Sequence, residues 1–164
     1  MQSAGIALWS CGNNDGALHL AEFLVRHGRT VMLVIDADSR VSGNSMFKQS
    51  RLEQTFGSKA SDVVKLLGEK SGAKEFEELF SDDLWARAAN VLWQTSEGWT
   101  PDQFKELRQS GKFSTKVLDM LRKSEEAPDG KPEMMFRLAT FIAETADVPY
   151  ELREAFAEVR QLAN

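Results

Sequence analysis

Two aspartates separated by one residue, Asp36 and Asp38, are the residues of this sequence best placed to do chemistry. They follow an apolar run at residues 31–35 that predicts a buried strand. Residues two apart in an extended chain point to the same side, so both carboxylates are expected to face one space. Close carboxylates repel each other, and Mg²⁺ or Mn²⁺ relieves that repulsion through oxygen ligands. The pair therefore predicts a metal site, although solvated acids after a strand fit the pattern as well.

The elements that must hold these aspartates alternate between strand and helix. Residues 5–11 form a short apolar run that predicts a first strand, and residues 17–25 place their apolar side chains on one helical face. The run at 31–35 predicts a second strand that is buried on both faces, and the three elements make one right-handed crossover. Ligands bind beyond the carboxyl ends of such strands. Residues 39–74 predict a loop with one or two helices.

The rest of the chain is predicted to be helical. Thr100-Pro101-Asp102-Gln103 has the pattern of a capping box with proline at the first helical position. Further helices are expected after Ser81, around Val117, and from Pro132 and Pro149. The predicted class is α/β, with a small parallel sheet in residues 1–72 and a helical region in residues 73–164.

A glycine-containing turn at residues 11–16 suggests a rival reading as a phosphate loop, because it lies between a predicted strand and a helix. It lacks a Lys-Ser or Lys-Thr pair and has no Gly-x-Gly-x-x-Gly. A polar turn capped by Asn14 or Asp15 is therefore favoured. A degenerate relative of partition-type ATPases remains an alternative on this pattern.

The composition narrows the classes of protein that fit. With 164 residues and 42% hydrophobic residues, the chain is long enough to bury a core. Its single cysteine rules out an internal disulfide and a cysteine-based zinc site, which favours the cytoplasm. No apolar run reaches the length of about 20 residues that spans a bilayer. The net charge of −5 is unusual for a protein that binds nucleic acid alone.

Several stretches together resemble a known family. Residues 8–12, the following helix and residues 31–38 are similar to the later part of a Toprim domain, and the Asp-x-Asp matches that domain's aspartate motif. Residues 75–80 and 83–85 resemble an acidic segment of the OLD (overcoming lysogenization defect) family of nucleases. Residues 130–132 and 148–152 resemble the closing helices of that family. The resemblance implies Mg²⁺-dependent cleavage of DNA, often in phage defence, by a protein that also carries an ATPase domain.

The resemblance also implies roles for individual residues. Asp36 and Asp38 would bind the metal, and Glu77 would join them, although it fits a solvated helix face as well. Lys131 matches a lysine that stabilises phosphate charge, with Lys112 and Lys116 as alternatives. Toprim domains begin with a strand ending in a catalytic glutamate, and no Glu-Gly precedes Asp36 here. The chain is therefore expected to be a fragment, a split subunit or a degenerate site.

The expected partners are DNA and another polypeptide, either a second copy or an ATPase-bearing chain, with no membrane. Two strands do not make an independently stable sheet, and the predicted helices carry apolar side chains, including Trp85, Trp93 and Phe104, that need covering. A non-catalytic helical assembly module is the alternative function on this evidence.

Overall fold

The computed structural model describes residues 6–10, 14–41, 46–109 and 111–163. None of the helices in these ranges is both long and apolar enough to cross a membrane. The described chain divides into two compact units, one made of Met1–Lys74 with Tyr150–Asn164 and the other of Glu75–Pro149. The elements of the first unit are α1 (Asn14–Arg26), β1 (Leu33–Asp36), α2 (Asp38–Val41), α3 (Gln49–Phe56), a 3₁₀ turn (Gly57–Lys59), α4 (Ala60–Val63), β2 (Val64–Leu67) and α9 (Tyr150–Leu162). Those of the second are a 3₁₀ turn (Phe76–Leu79), α5 (Asp82–Leu92), α6 (Pro101–Leu107), α7 (Phe113–Leu121), α8 (Lys131–Phe141) and a 3₁₀ turn (Thr145–Asp147).

A two-stranded parallel sheet lies in the first unit, so the α/β class is confirmed. β1 pairs with β2 in a register that runs from Leu33 beside Val64 to Asp36 beside Leu67. The partner strand was predicted wrongly at residues 5–11, because the described residues 6–10 form neither helix nor strand. Residues 64–67 pair instead. This run is only four residues long, too short for hydrophobic alternation to distinguish it from a helix end.

Only one face of β1 is buried, contrary to the prediction for a strand between two layers. Leu33 and Ile35 are each 8% exposed, whereas Val34 between them is 43% exposed. The buried pair packs in a core with side chains from α1, α3 and α4, notably Leu18, Leu52, Phe56, Ala60 and Val63. Asp36, at the end of β1, is half-buried.

The second unit forms helices where the sequence predicted them. Thr100 and Gln103 make the reciprocal capping box that starts α6. The oxygen of Ser81 accepts a hydrogen bond from the Leu84 amide and caps α5. The unit buries its large aromatic side chains, and Trp85, Trp93 and Phe104 are all 0% exposed. These three side chains are therefore already covered, and the argument that they need a partner is wrong.

The last helix, α9, belongs to the first unit rather than to the helical region in which the sequence analysis had placed it. Glu151 in its first turn fixes the helix to the loop after β2. The carboxylate of Glu151 accepts hydrogen bonds from the Gly68 amide at 2.6 Å and the Ser71 amide at 2.9 Å. Burial alone raises the pKa of Glu151, but hydrogen bonds from Ser71, Gly68 and Lys70 more than offset this and lower it.

We expect Glu151→Ala to lower the free energy of unfolding by roughly 2–4 kcal/mol at neutral pH, because two amides lose a charged acceptor. A carboxyl group with a lowered pKa stabilises the fold above its ordinary value of 4.5, and that contribution is lost as the pH falls through the lowered pKa. The free energies of unfolding of the wild-type and Glu151→Ala proteins, measured with urea, should therefore become equal in acid. Glu125→Ala, at an exposed glutamate, is the control, and an equal loss in that variant would contradict the role of Glu151.

Candidate acidic site

Asp36 is the last residue of β1, and its register partner Leu67 is the last residue of β2. The carboxyl ends of both strands therefore meet at one edge of the sheet, with Asp36 on that edge. By strand alternation Asp36 is on the same face as Val34, away from the buried Leu33 and Ile35. The short buried strand thus carries a carboxylate to the edge where α/β proteins bind ligands.

Asp38 is not part of the extended chain. The peptide turns at Ala37, and Asp38 begins the short helix α2. The two-residue spacing therefore does not set the direction of its side chain as it would in a strand. The Asp38 amide donates a hydrogen bond to the Lys74 carbonyl at 3.1 Å, which joins the start of α2 to the segment that follows β2. That the two carboxylates converge stays a prediction.

Ser39 adds a contact that the sequence analysis missed. Its hydroxyl donates a hydrogen bond to Oδ1 of Asp36 at 2.7 Å, within the half-buried surroundings of both residues. This bond orients the Asp36 carboxylate. The contact depends on the turn at Ala37, which brings Ser39 back to Asp36, so the sequence offered no clear signal for it.

Glu77 and Lys131, which the resemblance had linked to the same chemistry, lie together in the second unit. Nζ of Lys131 is 3.0 Å from Oε2 of Glu77. The Glu77 side chain is 1% exposed, whereas that of Lys131 is 46% exposed. Glu77 is therefore not part of a solvated helix face. Its peptide is held in place by the indole N–H of Trp85, which donates to the Glu77 carbonyl at 3.2 Å.

The surroundings of Glu77 disfavour the ionised form of its carboxyl group. Burial is the largest influence and raises the pKa of Glu77, and the lysine offsets this only in part. Glu75 adds a smaller repulsive contribution in the same direction. Glu77 is thus a buried carboxyl group with a raised pKa and a half-exposed lysine as its charged partner.

Glu75 has a structural role instead. Its carboxylate accepts hydrogen bonds from the Ser114 amide at 3.0 Å and the Ser114 hydroxyl at 2.8 Å, both in the first turn of α7. These donors would otherwise lack partners within the helix. Glu75 therefore caps α7 although it lies far from that helix in the sequence. Its place in an acidic cluster with Glu77 and Glu78 did not predict this role.

A Mg²⁺ site needs oxygen ligands that lie close together. Asp36 and Asp38 lie in the first unit, and Glu77 and Lys131 lie in the second. Across the described residues, no group of three or more histidine, cysteine, aspartate or glutamate side chains is arranged to hold a metal ion. Mg²⁺ is commonly held by one or two carboxylates together with water and substrate phosphate oxygens, so Asp36 and Asp38 would hold such an ion if their carboxylates converge.

Comparisons of the chain with protein-family models, curated proteins and solved structures find no match.

We expect Glu77→Gln to leave the free energy of unfolding at neutral pH unchanged or to increase it, because the folded protein disfavours the glutamate charge. A carboxyl group with a raised pKa stabilises the fold below its ordinary value of 4.5, and this contribution is lost as the pH rises through the raised pKa. The difference between the two proteins should thus grow between acid and neutral pH.

Urea unfolding across this pH range measures the difference, and Lys131→Met is the companion variant. Removing the lysine leaves the buried carboxylate without its cation, so Lys131→Met should raise the Glu77 pKa further, as ¹³C NMR of the carboxyl group would report. A loss of about 3–5 kcal/mol in Glu77→Gln would instead show that the ion pair holds the fold together.

Proposed function

We propose that this chain supplies part of a Toprim-type site for Mg²⁺-dependent cleavage of DNA, as a component of an OLD-like nuclease. The observation that carries the proposal is Asp36 at the carboxyl end of a parallel strand, with Asp38 beginning the next helix. This position suits carboxylates that bind a ligand, because α/β proteins bind ligands beyond the carboxyl ends of their parallel strands.

The proposal assigns metal binding to Asp36 and Asp38, with Mg²⁺ or Mn²⁺ as the ion. When bound, such an ion activates water and stabilises the leaving oxygen in phosphodiester hydrolysis. Ser39 keeps the Asp36 carboxylate oriented through its hydroxyl hydrogen bond. At least one further acidic ligand, supplied by another segment or another polypeptide, completes the set.

The resemblance also links Glu77 and Lys131 to this chemistry, Glu77 as a further metal ligand and Lys131 as a cation that offsets phosphate charge. Within the second unit Nζ of Lys131 lies 3.0 Å from Oε2 of Glu77, and the lysine side chain is 46% exposed. The half-exposed position of Lys131 supports its assignment to a phosphate.

The first test is metal binding by the purified chain. With only two carboxylates at the strand end, we expect Mn²⁺ to bind with a dissociation constant of about 10⁻⁴–10⁻³ M, since affinity follows the number of charged ligands. Asp36→Asn and Asp38→Asn should each weaken it at least about tenfold in a calorimetric or paramagnetic titration. Asp62→Asn, at an exposed aspartate, is the matched control, and an equal effect there would sink the assignment.

The second test is cleavage of supercoiled plasmid DNA. We expect the chain alone to be a poor nuclease with Mg²⁺, because its described residues do not complete a metal site. Co-expression with polypeptides encoded beside it should produce cleavage that Asp36→Ala abolishes. Vigorous cleavage by the chain alone, abolished by Asp36→Ala, would mean that the site is complete within it. The proposed function would be refuted if complexes carrying Asp36→Ala cleaved the plasmid as well as the wild-type complexes do.

A further inference from the structure

Three glutamates of α9 lie along the face that this helix turns toward β2 and its following loop. Glu151, Glu154 and Glu158 are three and four residues apart, which places them on one side of a helix. Each one meets a group that attracts anions. Glu151 accepts from the Gly68 and Ser71 amides, Glu154 pairs with Lys70 at 2.6 Å, and Glu158 pairs with Lys65.

The two amides lie at the carboxyl end of β2. Gly68 directly follows Leu67, the register partner of Asp36. Backbone amides that converge in a turn form a concavity that binds phosphate and other anions. Gly68 has a φ of +95°, and a Cβ there would come within 2.0 Å of the Ala73 carbonyl oxygen, so this turn requires glycine. Glu151 therefore fills an anion-binding turn at the same sheet edge as the proposed acidic site.

A cavity of about 250 Å³ lies beside these contacts, within the first unit. Its wall includes the cations Arg40, Lys65 and Lys70 and the carboxylates Glu69, Glu151 and Glu154. The wall is electrically neutral while α9 is in place. Without α9 only Glu69 would remain as an anion, and the same wall would carry a net charge of +2. The surface under α9 is thus basic, although the chain as a whole is acidic.

Few side chains of α9 are fully buried. Glu151 and Ala155 are its only fully buried residues in the described part of the helix, and Leu152, Phe156 and Val159 are half-buried. By contrast, α5 buries five residues, among them Leu84 and Trp85. Ion pairs near the surface contribute only about 0–1 kcal/mol each and weaken with salt. Another anion can therefore compete with α9 for its cations and amides.

We propose that α9 is an electrostatic strap whose three carboxylates occupy positions that DNA phosphates take when the helix is displaced. The inference rests on the proposed function for its choice of ligand. A phosphate oxygen would accept from the Gly68 and Ser71 amides in place of Glu151, so these donors would not lose their partners. Lys65 and Lys70 would exchange carboxylates for phosphates in the same way. The DNA backbone would then pass along the edge that ends in Asp36.

The test uses the full chain with Glu154→Gln and Glu158→Gln together, which removes two charges of the strap and leaves Glu151 in place. Glu106→Gln with Glu125→Gln, at two exposed glutamates, changes the net charge equally and is the matched control. Binding of a mixed-sequence DNA duplex is measured without divalent metal, over a series of salt concentrations, and inorganic pyrophosphate is titrated in parallel.

We expect the strap variant to bind the duplex at least about tenfold more tightly than the control variant. In a plot of log affinity against log salt concentration, the strap variant should have a steeper slope than the control variant. The difference should be roughly 0.9 for each phosphate contact that no longer displaces a carboxylate of α9. Lys65→Ala and Lys70→Ala in the strap variant should reverse the gain. In wild-type protein, hydrogen exchange of the α9 amides should accelerate when the duplex is added at low salt.

Equal duplex affinity in the strap and control variants would overturn the proposal, as would unchanged exchange in α9 on binding. Tighter binding of pyrophosphate but not of the duplex would overturn the choice of DNA and leave a site for free phosphate. Because no metal is present and no cleavage is measured, failure of the strap leaves the metal-binding and nuclease tests unaffected. A chain that passes this test but has no Asp36-dependent cleavage in any complex would bind DNA without the proposed chemistry.

Discussion

Parallel pairing of β1 with β2 is the constraint on which the candidate site depends. It brings Asp36 and Leu67 side by side, so the residues that follow each strand leave the sheet at the same edge. On one strand these are Asp38 and Ser39, and on the other they are Gly68 and Ser71. An antiparallel pairing would send the two loops to opposite ends of the sheet and separate Asp36 from Gly68. The sheet is small, but its direction decides which functional groups become neighbours.

The buried carboxylates of this protein have two different kinds of partner. Glu75 and Glu151 accept hydrogen bonds from backbone amides, which satisfy their oxygens and fix loops or helix ends. Glu77 has a half-exposed lysine as its charged partner, and its pKa is raised rather than lowered. The first arrangement stabilises the fold, whereas the second leaves a charge that burial disfavours.

The aromatic side chains offer little support for the alternative of a helical assembly module. Trp85 stacks on Phe104 with ring centroids 5.9 Å apart, and Phe113 meets Trp85 edge to face. Trp85, Trp93 and Phe104 are thus packed inside the second unit, although Val91 and Phe136 of the same unit are exposed. The more informative surface is in the first unit, where α9 neutralises a basic cavity wall. An acidic protein can thereby contain a local basic surface, which makes its overall charge a poor guide to its ligands.

The sequence by itself determined the elements whose signals are local. The capping box at Thr100, the Ser81 cap and the apolar run before Asp36 each depend on neighbouring residues, so helix starts and one strand were predictable. The tertiary structure decided what depends on partners far along the chain. Residues 64–67 form the second strand because they pair with the edge of β1. Helix α9 belongs to the first unit because Glu151 accepts hydrogen bonds from the Gly68 and Ser71 amides, 83 and 80 residues earlier in the chain. Glu77 likewise pairs with Lys131 from a distant part of the sequence, and only folding brings the two side chains together.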